Sequence, residues 1–232
     1  PYINNICNRD FMVMKSMKQV MDIFGNSIDE FLSCLSEEEL LSLRSYTGYN
    51  FRNINAVSRY AWTYENGNED KKREFSQLGF EISNIMNKYN MPKMDFVTFR
   101  GTTIDSFSSY GITDLSQLTN LQGKYLYESG FTSTSMLEET SYYNQTINDR
   151  TYNIGIRYLI PSDCDEGVLL ANTNLSYSVS QNEFVLNRGT LTKVIDVKVD
   201  EKMKTAILTV VLIPKKIYDI NYNKNKMSSI NK

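Results

Sequence analysis

The stretch Ser180-Gln181-Asn182-Glu183-Phe184-Val185-Leu186-Asn187-Arg188-Gly189-Thr190 sets an amide and a carboxylate two residues apart, just ahead of an apolar run. Residues i and i+2 of an extended chain share a face, so Gln181 and Glu183 are expected to point into one space. By itself the stretch also fits a polar turn that enters a buried strand. What fills the space depends on the strands around it.

Two further strand motifs stand upstream. Asp95-Phe96-Val97-Thr98-Phe99-Arg100 alternates as a strand and ends on Arg100-Gly101. An arginine there can present its planar fork to a phosphate or carboxylate, and the glycine lets a ligand approach the backbone. Gly130-Phe131-Thr132-Ser133-Thr134-Ser135 puts Phe131, Ser133 and Ser135 on one side. A hydroxyl on a mostly buried face needs a partner, and a carboxylate from a neighbouring strand is a natural one. Taken singly, each has an ordinary reading: a solvated charge, or the wet side of a half-exposed strand. Other strands are expected at 125–135 (as one run), 152–160, 167–170, 182–186, 191–199 and 205–213.

The first ninety or so residues read as helical. Phe11, Met14, Met17, Val20, Met21 and Phe24 recur at helical spacing. Ser36 and Glu39 form a capping box ahead of Leu40, Leu41 and Leu43. Gly48 is expected to end that helix. Further helices are expected from Phe51 to about Tyr64 and from Glu69 to about Tyr89, with Pro92 closing the helical region. A short helix is expected around 114–121, and a frayed polar tail from Asn221. The helical region is short and strongly apolar, so it is expected to pack on the sheets as one α+β unit.

Composition narrows the chemistry. The 232 residues contain no histidine, which excludes Ser-His-Asp and Cys-His catalysis and histidine-based zinc sites. Acid–base work falls to carboxylates, Tyr, Lys or water. Hydrophobic residues make up 41%, enough for a core, and a net charge of −2 gives no broad grip on nucleic acid. No apolar run is long enough to span a bilayer. Cys7, Cys34 and Cys164 stand far apart, a pattern of neither zinc framework nor disulfide scaffold, and are expected to be buried free thiols. The chain begins at Pro1, which reads as a processed or trimmed form.

In combination the motifs carry more than each does singly. Arg100, then Ser133-Thr134-Ser135, then Gln181-x-Glu183, each on a strand, resembles the Arg-Ser-Glu class of bacterial mono-ADP-ribosyltransferase toxins. Tyr46-Thr47-Gly48, Ile54-Asn55 and Arg59 resemble that family's helical motif Y-T-G…I-N…R. Glu183 to Thr190 resembles its E-V-L-L-x-R-G-T strand, and Thr205 to Val210 its closing strand. The resemblance runs from about Glu37 to Lys216.

The resemblance implies helices packed on two roughly perpendicular, mainly antiparallel β-sheets, and one catalytic domain over 1–232. That domain would comprise a helix-rich region over 1–92, a β-rich core over 93–216 and a tail over 217–232. It implies NAD as co-substrate, with no metal. Glu183 would stabilise the cationic ribose, with Ser133 holding its carboxylate. Arg100 and Arg59 would meet the pyrophosphate. Arg150, with Arg157 as the alternative, would stand in the phosphate–nicotinamide loop. Gly101 would pair through its backbone with the nicotinamide amide. Tyr46, Asn55 and Phe51 would contact the cofactor, though Phe51 has no hydroxyl to donate.

In the family, a Gln two residues before the catalytic Glu accompanies asparagine modification, as in the clostridial and staphylococcal exoenzymes that modify Rho GTPases. A primary amide both donates and accepts, so Gln181 can pair with an amide substrate. Tyr177 would be the exposed aromatic for target recognition, although the Rho-modifying pattern sets it nearer the Gln. The expectation is a secreted, monomeric toxin acting in the host cytosol on a Rho-type GTPase, with NAD hydrolysis as a side activity, no nucleic acid partner and no stable membrane insertion. Actin or another Arg- or Gln-bearing acceptor, and a non-catalytic binding module with this fold, stand as alternatives.

Overall fold

The computed structural model of the protein describes residues 2–173, 175 and 182–218. Helices α1 (Tyr2–Ile6), α2 (Met17–Ser33), α3 (Glu37–Ser45), α4 (Phe51–Ser58) and α5 (Glu69–Met86) come first, and α6 (Lys215–Tyr218) comes last. Ser16 starts α2, its Oγ accepting from the Gln19 N–H at 3.2 Å. The face thus defined buries Val20, Phe24, Ile28 and Phe31. Upstream of that cap the chain is extended rather than helical: Met12 N donates to Asp95 O, and Val97 N to Met12 O. The helical spacing expected from Phe11 onward therefore holds only after the cap.

The Ser36–Glu39 capping box opens α3 as the sequence indicates. Helix α3 ends at Ser45, and Gly48 breaks the helical backbone, again as the sequence indicates. Gly48 forms a kink, with ψ at −117°, inside a wide π-type turn over Tyr46–Asn50 that leads directly into α4. Helix α4 ends at Ser58, short of the expected Tyr64. Tyr60 takes a left-handed φ of 57° there, which an α-helix cannot contain.

The strands are β1 (Phe96–Thr102), β2 (Tyr125–Glu128), β3 (Thr132–Ser135), β4 (Gln145–Ile147), β5 (Arg150–Tyr152), β6 (Ile154–Ile160), β7 (Gly167–Leu169), β8 (Glu183–Leu186), β9 (Thr190–Asp200) and β10 (Thr205–Ile213). Residues 125–135, expected as one strand, form two. The break falls at Ser129-Gly130, and the two halves have different neighbours: β2 pairs with β9, β3 with β8 and β1. Pairing runs in the order β2-β9-β10-β6-β1-β3-β8-β7, antiparallel except between β10 and β6, with β4 and β5 as a separate hairpin.

The two expected sheets are visible as two arms of this order. Strands β1 and β6 pair from Phe96↔Ile160 to Thr102↔Ile154, whereas β1 and β3 share the single pair Phe99↔Ser135. That narrow seam joins the arm β2-β9-β10-β6-β1 to the arm β3-β8-β7. Helices α2 to α5 pack over the seam, burying Phe24, Ile54, Ile82, Phe96, Phe131 and Phe184 in one cluster. The Phe96 ring makes edge contacts with Phe24 at 5.2 Å and with Phe184 at 5.4 Å. Each such side chain contributes roughly 1.5–3 kcal/mol by burial. A second cluster, with Phe107, Leu118, Ile156 and Val194, lies under the turns that follow β1. The cysteines are all free, but only Cys164 is buried; Cys7 and Cys34 are exposed, contrary to expectation.

Candidate active site

Strand register brings the serine and the carboxylate together. In the β3/β8 ladder Ser135 stands opposite Glu183 and Ser133 opposite Val185. Ser133 and Ser135 share a face of β3, so Ser133 is the diagonal neighbour of Glu183. Its Oγ donates to Glu183 Oε1 at 2.6 Å. Ser135 does different work: its Oγ donates to Leu137 O and accepts from Leu137 N, pinning the loop after β3. Thr134, on the opposite face, donates to Phe184 O at 2.7 Å.

Arg100 enters across the seam from β1, and its Nη1 donates to Ser133 O at 2.7 Å. Glu183 is 9% exposed. Burial holds its carboxyl above the usual glutamate range, while the Ser133 hydroxyl and the Arg100 charge pull the other way. Burial wins because little water reaches the carboxylate.

The helical motif converges on the same place. The Tyr46 ring is buried edge-on against Phe131, centroids 5.0 Å apart. Burial first, and then the Glu183 charge, push its phenol well above the ordinary tyrosine range, against hydrogen bonds with the Ser133 and Asn55 side chains. Tyr46 therefore stays protonated, its hydroxyl in hydrogen-bond contact with Ser133, whose own hydroxyl donates to Glu183. Asn55, on α4, accepts the Phe131 N–H at 2.8 Å. Arg59, capping the same helix, donates through Nη2 to Phe131 O at 2.9 Å and through Nε to Glu128 Oε1 at 2.8 Å. Tyr46, Asn55, Arg59, Arg100, Ser133 and Glu183 thus form one connected group.

Other expected positions lie apart from it. Phe51 is 40% exposed at the start of α4, with the Arg52 guanidinium 5.7 Å from its ring centre. Arg150 is exposed at the tip of the β4–β5 hairpin, after Asn148 and Asp149 in left-handed conformation. Arg157 stands opposite Phe99 in register, so strand alternation sets it on the other face from Arg100, where it pairs with Glu138 at 2.8 Å. Gly101 donates its N–H to Ser141 O, and a Cβ there would lie 2.4 Å from the Tyr142 carbonyl carbon and the Tyr143 nitrogen. That N–H is engaged by the chain's own 141–143 segment, which only a glycine admits so closely. Gln181 and Tyr177 lie outside the described residues.

Sequence reading missed Glu128 and Tyr158. Tyr158 is buried on β6 and pushed up to about 12 by burial; Arg100, Glu128 and Arg59 all act on it. No local pattern marks either residue, because their partners come from distant segments.

The family model described as ADP-ribosyltransferase exoenzyme matches residues 21–215. A search of curated proteins finds no sequence match. Among solved structures, C3stau2 from S. aureus with NAD superposes with a TM-score of 0.69 at 17% identity, over 89% of this chain and 100% of that one. The Clostridium limosum C3 exoenzyme gives 0.68 at 15%, over 92% and 100%. BECa, the ADP-ribosylating component of a binary enterotoxin of C. perfringens with NADH, gives 0.69 at 17%, over 88% of this chain and 50% of that one. At these identities the superpositions carry the fold, and the family match carries the class. Since that match takes in residues 21–215, including every member of the connected group, the chain belongs to the ADP-ribosyltransferase exoenzyme family of NAD-dependent mono-ADP-ribosyltransferases.

Proposed function

We propose that this exoenzyme transfers ADP-ribose from NAD to an asparagine side chain of a host Rho-type small GTPase, releasing nicotinamide. The observation that carries the catalytic half is the 2.6 Å Ser133–Glu183 contact, braced by Arg100 on one side and Tyr46 on the other. The acceptor half rests on Gln181, two residues before Glu183 in the sequence.

Cleavage of the nicotinamide–ribose bond sends the bonding pair out with nicotinamide and leaves positive charge on the sugar, as in glycoside hydrolysis. In this reading Glu183, ionised, stands beside that charge and stabilises it more in the transition state than in the ground state. Ser133 fixes the carboxylate's orientation, and Tyr46 fixes Ser133. Arg100 and Arg59 hold the phosphates, and Arg150 joins them from its hairpin. Gln181 pairs with the acceptor amide, and Tyr177 contacts the target protein. Without an acceptor, water attacks the same cation, giving NAD hydrolysis. The protein is secreted and acts in the host cytosol.

Labelled NAD, incubated with the enzyme and host-cell lysate, is expected to mark a band of small-GTPase size, with the label on an asparagine by mass spectrometry. Glu183→Gln removes the label. Gln181→Ala is expected to suppress transfer while keeping hydrolysis. A label on arginine, or on a band of actin size, overturns the acceptor assignment and leaves the chemistry standing.

A further inference from the structure

Arg59 is held by more than its own helix. Glu128, the last residue of β2, accepts two N–H groups on one oxygen: Arg59 Nε at 2.8 Å and Gly130 N at 2.8 Å. The Glu128 carbonyl is itself fixed, accepting from Gly189 N at 2.9 Å. The third wall is Gly130. A Cβ there would lie 2.9 Å from Arg59 Nε and 2.8 Å from Asn55 Oδ1. The guanidinium is thus set in plane and direction by a carboxylate, by Phe131 O and by the bare backbone of Gly130.

Stability alone does not account for this arrangement. Both partners keep 36% of their side-chain surface exposed, and pairs that open to water contribute little to folding. The pair stands beside the catalytic group: Arg59 also holds Phe131 O, two residues before the Ser133 that donates to Glu183.

We infer that Glu128 is a positioning residue for dinucleotide binding, which holds the Arg59 guanidinium so that its remaining N–H groups are presented to the phosphates of NAD. The inference rests on the proposed role of Arg59 as a phosphate ligand. A long side chain already fixed before binding loses little rotamer freedom on contact with ligand, and freeing it costs affinity. Glu128's negative charge works against an anionic ligand, so what it supplies is geometry, and the geometry needs an acceptor oxygen rather than a charge.

The test uses NAD hydrolysis without protein acceptor, with thermal melts to verify folding. Glu128→Ala is expected to raise KM for NAD by about threefold to tenfold while kcat stays within about twofold. Glu128→Gln keeps an acceptor oxygen and is expected to restore most of the affinity. In an Arg59→Ala background, Glu128→Ala is expected to add nothing, since the two act as one unit. An unchanged KM in Glu128→Ala, a Gln variant as weak as the Ala variant, or a Glu128→Ala effect that persists without Arg59 overturns the inference. Should Glu128→Ala fail to fold, Glu128→Asp, which withdraws the carboxylate by one methylene, carries the same expectation and the same failures. If Arg59→Ala itself leaves KM unchanged, the phosphate-binding role of Arg59 falls instead.

Discussion

Glu183 is a group on which burial and hydrogen bonding act in opposite senses. Its carboxyl is raised above the ordinary glutamate value, so the fold favours the protonated form. The stability it lends is complete below the unfolded-state value and is lost as pH rises through the raised folded-state value. Glu183→Gln stays neutral throughout and can still accept from Ser133. The variant is therefore expected to melt higher than the parent near neutral pH, with the gap closing as pH falls below the usual carboxylate range. In the same variant transfer falls by on the order of a hundredfold or more. Because the ionised form is the active one, the acid limb of kcat/KM is expected above the ordinary glutamate range. Ser133→Ala removes a hydrogen bond that favours ionisation, and is expected to move that limb to still higher pH and to lower kcat by roughly tenfold or more. An acid limb unmoved in Ser133→Ala would mean the hydroxyl does not set the carboxylate's charge.

Elements form where local signals are complete and divide where distant partners intervene. The α3 capping box is satisfied within four residues, with Glu39 N bonded to Ser36 Oγ and Ser36 N to the Glu39 carboxylate. Ser36→Ala is expected to lower Tm by about 2–4 °C with catalysis unchanged, readable by calorimetry and NAD hydrolysis. The β2/β3 division is of the other kind. Alternation continues through 125–135, yet Arg59, Asn55 and Glu128 seize the backbone of Gly130 and Phe131 and turn it from one arm to the other. Gly130→Ala is expected to weaken NAD binding and to lower Tm, because its methyl enters the space of Asn55 Oδ1 and Arg59 Nε. A variant that binds NAD like the parent would count against the turn as a clamp on Arg59.

Across the whole molecule, helices and strands hold one another through buried polar ties as well as the apolar core. Asn187, 1% exposed at the end of β8, donates to Ser83 O at 3.2 Å and to Asn87 Oδ1 at 3.0 Å on the last turn of α5, and accepts from Arg188 N at 2.8 Å. Asn187→Ala removes these partly buried hydrogen bonds, each worth about 0.5–1.5 kcal/mol. Urea unfolding is expected to shift to lower midpoint with unchanged slope, in a single transition seen both by far-UV circular dichroism and by fluorescence of Trp62, which packs against Phe75. Two separated transitions would mean that the helices and the sheet are independent units.

The sequence by itself determined the caps, the periodicity of α2 after Ser16, the succession of strands and the presence of Arg100, Ser133 and Glu183 at strand positions. Those are matters of neighbours a few residues apart, and chain stereochemistry settles them locally. It also carried the family resemblance, because motif order along the chain is linear information. The family resemblance named Ser133 for the carboxylate, and the tertiary structure supplied the contact, a bond between residues 50 apart, while Ser135 turns to Leu137. Only the tertiary structure joined Arg59 to Glu128 across 69 residues and set Arg157 on the face away from Arg100. Such pairings follow from the register of strands brought together by core burial, and shifting that register by one residue would turn every side chain of a strand to its other face.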